Sequence, residues 1–90
     1  MEFEWDDKKD RANRRKHGIS FSLALLVFSD KNRKEQLDEG SLDEERWITI
    51  GLVDEQEMVV VYTMRNGVTR LISAREADKY EREDYWHGAG

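Results

Sequence analysis

Polar and apolar residues alternate from Glu2 to Trp5, with Phe3 and Trp5 falling on one side as in a short strand. Asp6 follows as a helix N-cap and Asp7 as a favourable first-turn charge. The run from Asp7 to His17 holds good helix formers and no Pro, and it ends at Gly18, which suits a left-handed C-terminal cap. Ala12 is the only apolar residue in that run, so the helix has no stripe of its own to bury. Its flanking residues Trp5, Ile19 and Phe21 are expected to hold it instead. Ser20 caps a second helix reaching Phe28, in which Phe21, Leu25 and Phe28 recur at helical spacing, and this is expected to be the most buried helix. From Ser29 to Glu44 the chain is polar and reads as loop with room for one short edge strand.

The second half changes period. Glu45 to Val53 alternates, placing Ile48, Ile50 and Leu52 on one face, and Met58 to Arg65 is rich in β-branched residues, with Asp54 to Glu57 as the turn between them. Asn66-Gly67 is a type I′ hairpin signal, because both residues tolerate positive φ, and Val68 to Ser73 is the returning strand. A two-residue loop fixes register, so Arg65 is expected opposite Val68, Thr63 opposite Arg70 and Val61 opposite Ile72, all on one face. Ser73 with Glu76 has the spacing of a capping box and predicts a last helix from Ala74 to Tyr85, with Arg75 in its first turn. The order predicts an α+β fold: two N-terminal helices, an antiparallel meander sheet of three to five strands, and a C-terminal helix.

Ninety residues support one domain, spanning 1–90. The hydrophobic share of 38% is matched by 39% charged residues, so the core is lean and much of the surface faces water or a partner. With no Cys there is neither a disulfide framework nor a thiolate metal site, and two His residues, His17 and His87, are too few for zinc; no metal and no cofactor are expected. The opening residues are charged, and no window approaches the roughly 20 apolar residues that span a bilayer, which predicts a soluble, cytoplasmic protein.

A net charge of −5 argues against nucleic-acid binding until its distribution is read. Residues 1–34 hold nine Lys/Arg against six Asp/Glu, residues 35–57 hold one against nine, and the remainder five against five. The acidity is confined to a middle segment between a basic first third and an Arg-bearing last third.

Three constellations carry possible chemistry. Arg65 and Arg70 are expected as diagonal neighbours on the hairpin; such guanidinium groups either clamp a phosphate or are satisfied by Glu45 or another carboxylate. Arg75, expected in a helix first turn, needs an anion nearby, either RNA phosphate or Glu76 or Asp78. Lys16 and His17 close the first helix, where the dipole favours a charged imidazole able to hold or donate a proton; the alternative is a capping role on the last-turn carbonyls. The same helix carries Lys8, Lys9, Arg11, Arg14, Arg15 and Lys16, either a solvated face or the contact for RNA or an acidic protein segment. The acidic run from Glu35 to Glu45 has no metal-site spacing and reads as a solvated loop, a docking surface, or a screen for the basic helix.

The chain resembles the BrnT family of type II toxins in several ordered blocks. The first comprises Phe3, Trp5, Asp6, Lys9, Asn13, Lys16, His17, Gly18, Ile19, Ser20 and Phe21. Later ones are Glu45-Arg46 with Ile50 and Gly51; Val60 to Thr63 with Arg65; and Arg70, Ile72 to Arg75, Ala77, Glu81, Arg82 and Tyr85. The acidic middle segment departs from the basic character common in ribonuclease toxins.

The resemblance implies a RelE-like fold, metal-independent ribonuclease activity, and a BrnA-type antitoxin that forms a hetero-oligomer with the toxin and represses their operon. Operator DNA would be contacted only through the antitoxin, and no membrane is involved. RNA cleavage by 2′-hydroxyl attack needs a base, an acid and cations around the phosphorus. Under this resemblance Arg65, Arg70 and Arg75 stabilise the phosphate, with Arg46, Thr63, Arg14 and Arg15 as further RNA contacts. His17 or Lys16 carries the proton, and Glu81 ranks below them as a base. The competing class is a non-enzymatic interaction module that binds an acidic partner through the same arginines.

Overall fold

A computed structural model describes residues 1–87. A two-residue strand, β1 (Phe3–Glu4), leads into α1 (Asp7–His17). Both caps form as the residue types dictate: the Asp6 carboxylate accepts the Lys8 amide at 2.8 Å, and Gly18 takes φ 72° while its N–H bonds the Arg14 carbonyl. Ser20 caps the next helix, but only Phe21–Ala24 is α-helical (α2); Leu25–Ser29 tightens into a 3₁₀ turn. The expected helix to Phe28 is thus two short pieces, whose buried side chains are Phe21, Ala24 and Val27.

The remaining strands are β2 (Lys34–Asp38), β3 (Arg46–Val53), β4 (Gln56–Arg65) and β5 (Val68–Glu76), and α3 (Lys79–His87) closes the described chain. They form one five-stranded sheet in the order β1-β5-β4-β3-β2. The meander from β2 to β5 is antiparallel as expected, whereas β1 joins β5 in parallel, so the sheet is mixed. Asn66 and Gly67 hold φ of 51° and 79°, as a type I′ turn requires.

Near that turn the register matches expectation, with Arg65 opposite Val68 and Thr63 opposite Arg70. Beyond it a β-bulge between Val61 and Tyr62 moves Ser73, not Ile72, opposite Val61. The last helix also starts later than the sequence suggests. β5 continues through Ser73–Glu76, Arg75 pairs with Val59 across the ladder, and the capping box is made by Asp78 and Glu81. Each of those residues accepts the other's backbone N–H at 2.8 Å, so Ser73 and Glu76 play no capping part and Arg75 lies on a strand.

The sheet has two unequal faces. The inner face is covered by α1, α2 and the 3₁₀ turn and buries Phe21, Val27, Val60 and Leu71, with Trp5 edge-to-face on Phe21 at 6.1 Å. Asn13 is the buried side chain of α1, 7% exposed, and it fastens the helix by polar means. Its amide N donates to the carbonyls of Ile19 (2.9 Å) and Ala74 (2.8 Å), and its amide O accepts the Ala74 N–H at 3.1 Å. The outer face is covered at one end only, where α3 lays Tyr85 over Ile50, Val59 and Ala77. Asp30 ties that helix in: its carboxylate accepts the Leu52 N–H at 2.8 Å and the Tyr85 hydroxyl.

Candidate active site

At the hairpin end of the outer face, register assembles a transverse row of polar side chains. Asp38 of β2 faces Arg46 of β3, the β3–β4 ladder that pairs Trp47 with Tyr62 carries Arg46 beside Thr63, Thr63 faces Arg70, and Arg70 faces Glu4 of β1. Directly opposed residues share a face, so one line crosses all five strands. Thr63 is 3% exposed and its hydroxyl donates to the Glu45 carbonyl at 2.6 Å, which pins the start of β3 to the middle of the row.

The four candidate arginines differ in how they are satisfied. Arg75 is held most firmly, with both terminal nitrogens 2.7 Å from the two Glu81 oxygens. Arg65 meets Glu44 at 3.2 Å and Arg70 meets Glu4 at 3.5 Å, both in partly exposed pairs. Arg46 stands apart: its Nε is buried and has no hydrogen-bond partner. Among the described residues its guanidinium forms no ion pair, which leaves its charge uncompensated and its terminal nitrogens the ones to meet an anion.

The Arg75–Glu81 pair is tuned as a unit. The hydrogen bond to Glu81 raises the Arg75 pKa further above its ordinary value, and the bond from Arg75 holds the Glu81 carboxyl below the usual carboxylate range despite burial. With Arg75 on both oxygens and the Asp78 N–H also on Oε1, Glu81 is a poor proton acceptor. The geometry suits it to positioning Arg75.

Lys16 and His17 stand elsewhere. Asp6, whose carboxyl is lowered first by the Lys8 amide and also feels the Arg70 charge, marks the start of α1 beside Arg70, while Asn13 reaches Ala74. The helix therefore runs along the inner face of β5 away from the row and carries Lys16 and His17 past Ala74, on the side of the sheet opposite Arg75. Among the described residues no hydrogen bond or ion pair joins either one to Arg46, Arg65, Arg70 or Arg75. Arg14 and Arg15 are exposed, and with Arg11 they line a shallow cleft of about 330 Å³; Arg14 also meets Asp10 at 3.6 Å. The acidic middle segment does not screen this helix, because α1 packs on β5 whereas β2 is the opposite outer strand.

Arg65, Thr63 and Arg70 lie together as their spacing around Asn66-Gly67 predicts, whereas Arg75 lies on a strand rather than a helix, and Glu4 and Glu44, with no signal in the sequence, are the partners of Arg70 and Arg65. Arg46 was a lesser candidate, since its place in the row depends on the β3–β4 register. Among the described residues no three His, Asp or Glu side chains group as a metal site would need, and no helix is long and apolar enough to cross a membrane.

A family model described as "Ribonuclease toxin, BrnT, of type II toxin-antitoxin system" matches residues 5–81. No curated protein matches the chain.

Proposed function

Since this chain belongs to the BrnT family of ribonuclease toxins of type II toxin-antitoxin systems, we propose that it cuts RNA without a metal ion, on the transverse row of its outer sheet face. The observation that carries this reading is Arg46, a guanidinium with no ion pair among the described residues, within a line that also holds Thr63 and Arg70. A phosphodiester set there receives two guanidinium groups as the attacking 2′-hydroxyl builds up negative charge around phosphorus. Arg65 joins them by exchanging Glu44 for phosphate, which is inexpensive because a partly exposed ion pair contributes little.

Arg75 braces the far end of the same face, positioned by Glu81. Arg14 and Arg15 on α1 attract the flanking backbone, so affinity falls steeply with salt. Lys16 and His17 remain the proposed proton carriers, and imidazole is the group that exchanges protons near neutrality. That assignment rests on their chemistry alone, since α1 covers the inner face and the arginine row lies on the outer one; it requires the RNA to pass around the β1–β5 edge of the sheet. The partner is proposed to be a BrnA-type antitoxin that contacts operator DNA on behalf of a hetero-oligomer and represses the operon with the toxin. The proposed setting is a single RelE-like domain acting in the cytoplasm.

The test is cleavage of a labelled RNA in EDTA by antitoxin-free protein. Arg46→Ala with Arg70→Ala is expected to lower the rate at least about 100-fold, the scale of losing a preorganised charge contact, with an unchanged melting temperature. Arg14→Ala with Arg15→Ala is expected to weaken binding and reduce its salt dependence while leaving the saturated rate near that of the parent. Full activity in the Arg46/Arg70 double variant would place the reacting phosphate elsewhere.

A further inference from the structure

Six of the seven charged residues between Lys34 and Glu45 are acidic, and the fold sets them on the outermost strand of the sheet, away from the cations of α1. Glu35 is answered by Arg33 at 3.0 Å and Glu44 by Arg65 at 3.2 Å. Asp38, Glu39, Asp43 and Glu45 form no ion pair among the described residues. Apolar side chains stand among them: Leu42 is 96% exposed and Leu37 42%.

Two open clefts flank the β2 edge. One, of about 480 Å³, lies between Leu37 and Leu42 and is rimmed by acids; the other, of about 490 Å³, shares Leu37, Asp38 and Glu39 with it and reaches Gln36 and Ile48. Because β2 ends the sheet, the backbone groups on its outer side have no strand partner. Like charges oppose pairing of this edge with a second copy of itself, whereas a segment bearing Lys or Arg is attracted to it.

We propose that this edge is the seat of the antitoxin, which adds an extended, basic segment alongside β2 and inserts an apolar side chain between Leu37 and Leu42. The inference rests on the chain having an antitoxin, as its family implies. The seat adjoins the arginine row, because Glu44 bonds Arg65 and the Glu45 carbonyl receives Thr63. Asp38, which opposes Arg46, brings the end of the row to this edge, so that a segment added along β2 stands at the mouth of the row and neutralisation is narrowed access of RNA to it. Strand addition supplies affinity through main-chain bonds, and the acids supply orientation and on-rate.

The experiment uses the product of the adjacent reading frame, co-expressed with this chain, separated and re-bound under kinetic observation at low and at physiological salt. Glu39→Lys with Asp43→Lys is expected to slow association about 10-fold or more and to flatten its salt dependence. Leu37→Asp with Leu42→Asp is expected to speed dissociation at least about 10-fold, which corresponds to about 1.4 kcal/mol. All four positions are exposed, and melting temperatures equal to the parent's would confirm intact folds. Lys9→Gln with Arg11→Gln on α1 serves as the control and is expected to leave the dissociation rate near the parent's and to change association far less than the β2-edge charge reversal. Parental rates in both β2-edge variants would overturn the proposed seat while leaving the antitoxin intact as a partner. No binding of the adjacent product even to the parent chain would remove the premise itself.

Discussion

Asn13 offers the sharpest test of how this lean fold holds together. α1 has almost nothing apolar to bury, yet it must be fixed against β5, and Asn13, 7% exposed, makes three hydrogen bonds there. Replacing it with Ala removes all three and strands the Ala74 N–H and carbonyl and the Ile19 carbonyl beneath the helix. At about 1 kcal/mol for each net bond, the loss is about 3 kcal/mol, and more where a stranded group stays dry. For a domain of this size each kcal/mol moves the melting temperature roughly 4–8 °C, so a fall of roughly 12–24 °C is expected. Asn13→Asp should be worse, because it keeps only the acceptor for Ala74 and buries a charge. Arg14→Ala, whose ion pair with Asp10 spans 3.6 Å with half the arginine exposed, should move stability by less than about 0.5 kcal/mol. Urea unfolding of the three variants checks the ranking, and an Asn13→Ala protein within about 1 kcal/mol of the parent would refute the view that this amide anchors α1.

Other outcomes follow from individual contacts. The Glu81 carboxyl is held below its ordinary value by Arg75, so its stabilisation is complete above the usual carboxylate range and is lost as pH falls through the lowered folded value. The urea midpoint of Glu81→Gln should therefore drop less between neutral pH and about pH 3 than that of the parent. Gly51→Ala would set a Cβ 2.8 Å from a Val27 methyl and 3.1 Å from the Arg33 Cβ, and should cost about 1–3 kcal/mol through overpacking, read by calorimetry. Tyr85→Phe removes the hydroxyl that Asp30 accepts; burial first, then that carboxylate, pushes the phenol up to about 12, and its loss should cost about 1 kcal/mol in urea unfolding.

Local chemistry was legible wherever one short segment decides the outcome. Asp6, Gly18 and Ser20 cap as their residue types require, and Asn66-Gly67 sets the hairpin, because each needs only a neighbour or its own φ. The start of α3 was misread because two pairs, Ser73 with Glu76 and Asp78 with Glu81, share the same spacing. What chooses between them is the long-range pairing of Arg75 with Val59, which has no local signature. The arginine partners were hidden for a similar reason: Glu4 and Glu44 reach Arg70 and Arg65 from strands and turns far along the chain. Asn13 gave a polar signal on a polar helix, and only the packed structure distinguishes it from its solvated neighbours.

The bulge in the β4–β5 ladder has a consequence for parity. Arg70 and Arg75 lie five positions apart, an odd offset, and in an unbroken strand they would emerge on opposite sides of the sheet. One extra residue between them resets the alternation, so that Arg70 opposes Thr63 and Arg75 opposes Val59 on the same surface. Deleting Ile72 would leave the two arginines four positions apart in an unbroken strand and still on one face, whereas keeping every residue but straightening the bulge would turn the second guanidinium toward α1 and the buried aromatic side chains. A hairpin can therefore keep every arginine of this motif and still lose half of its charged surface if its ladder closes without the bulge.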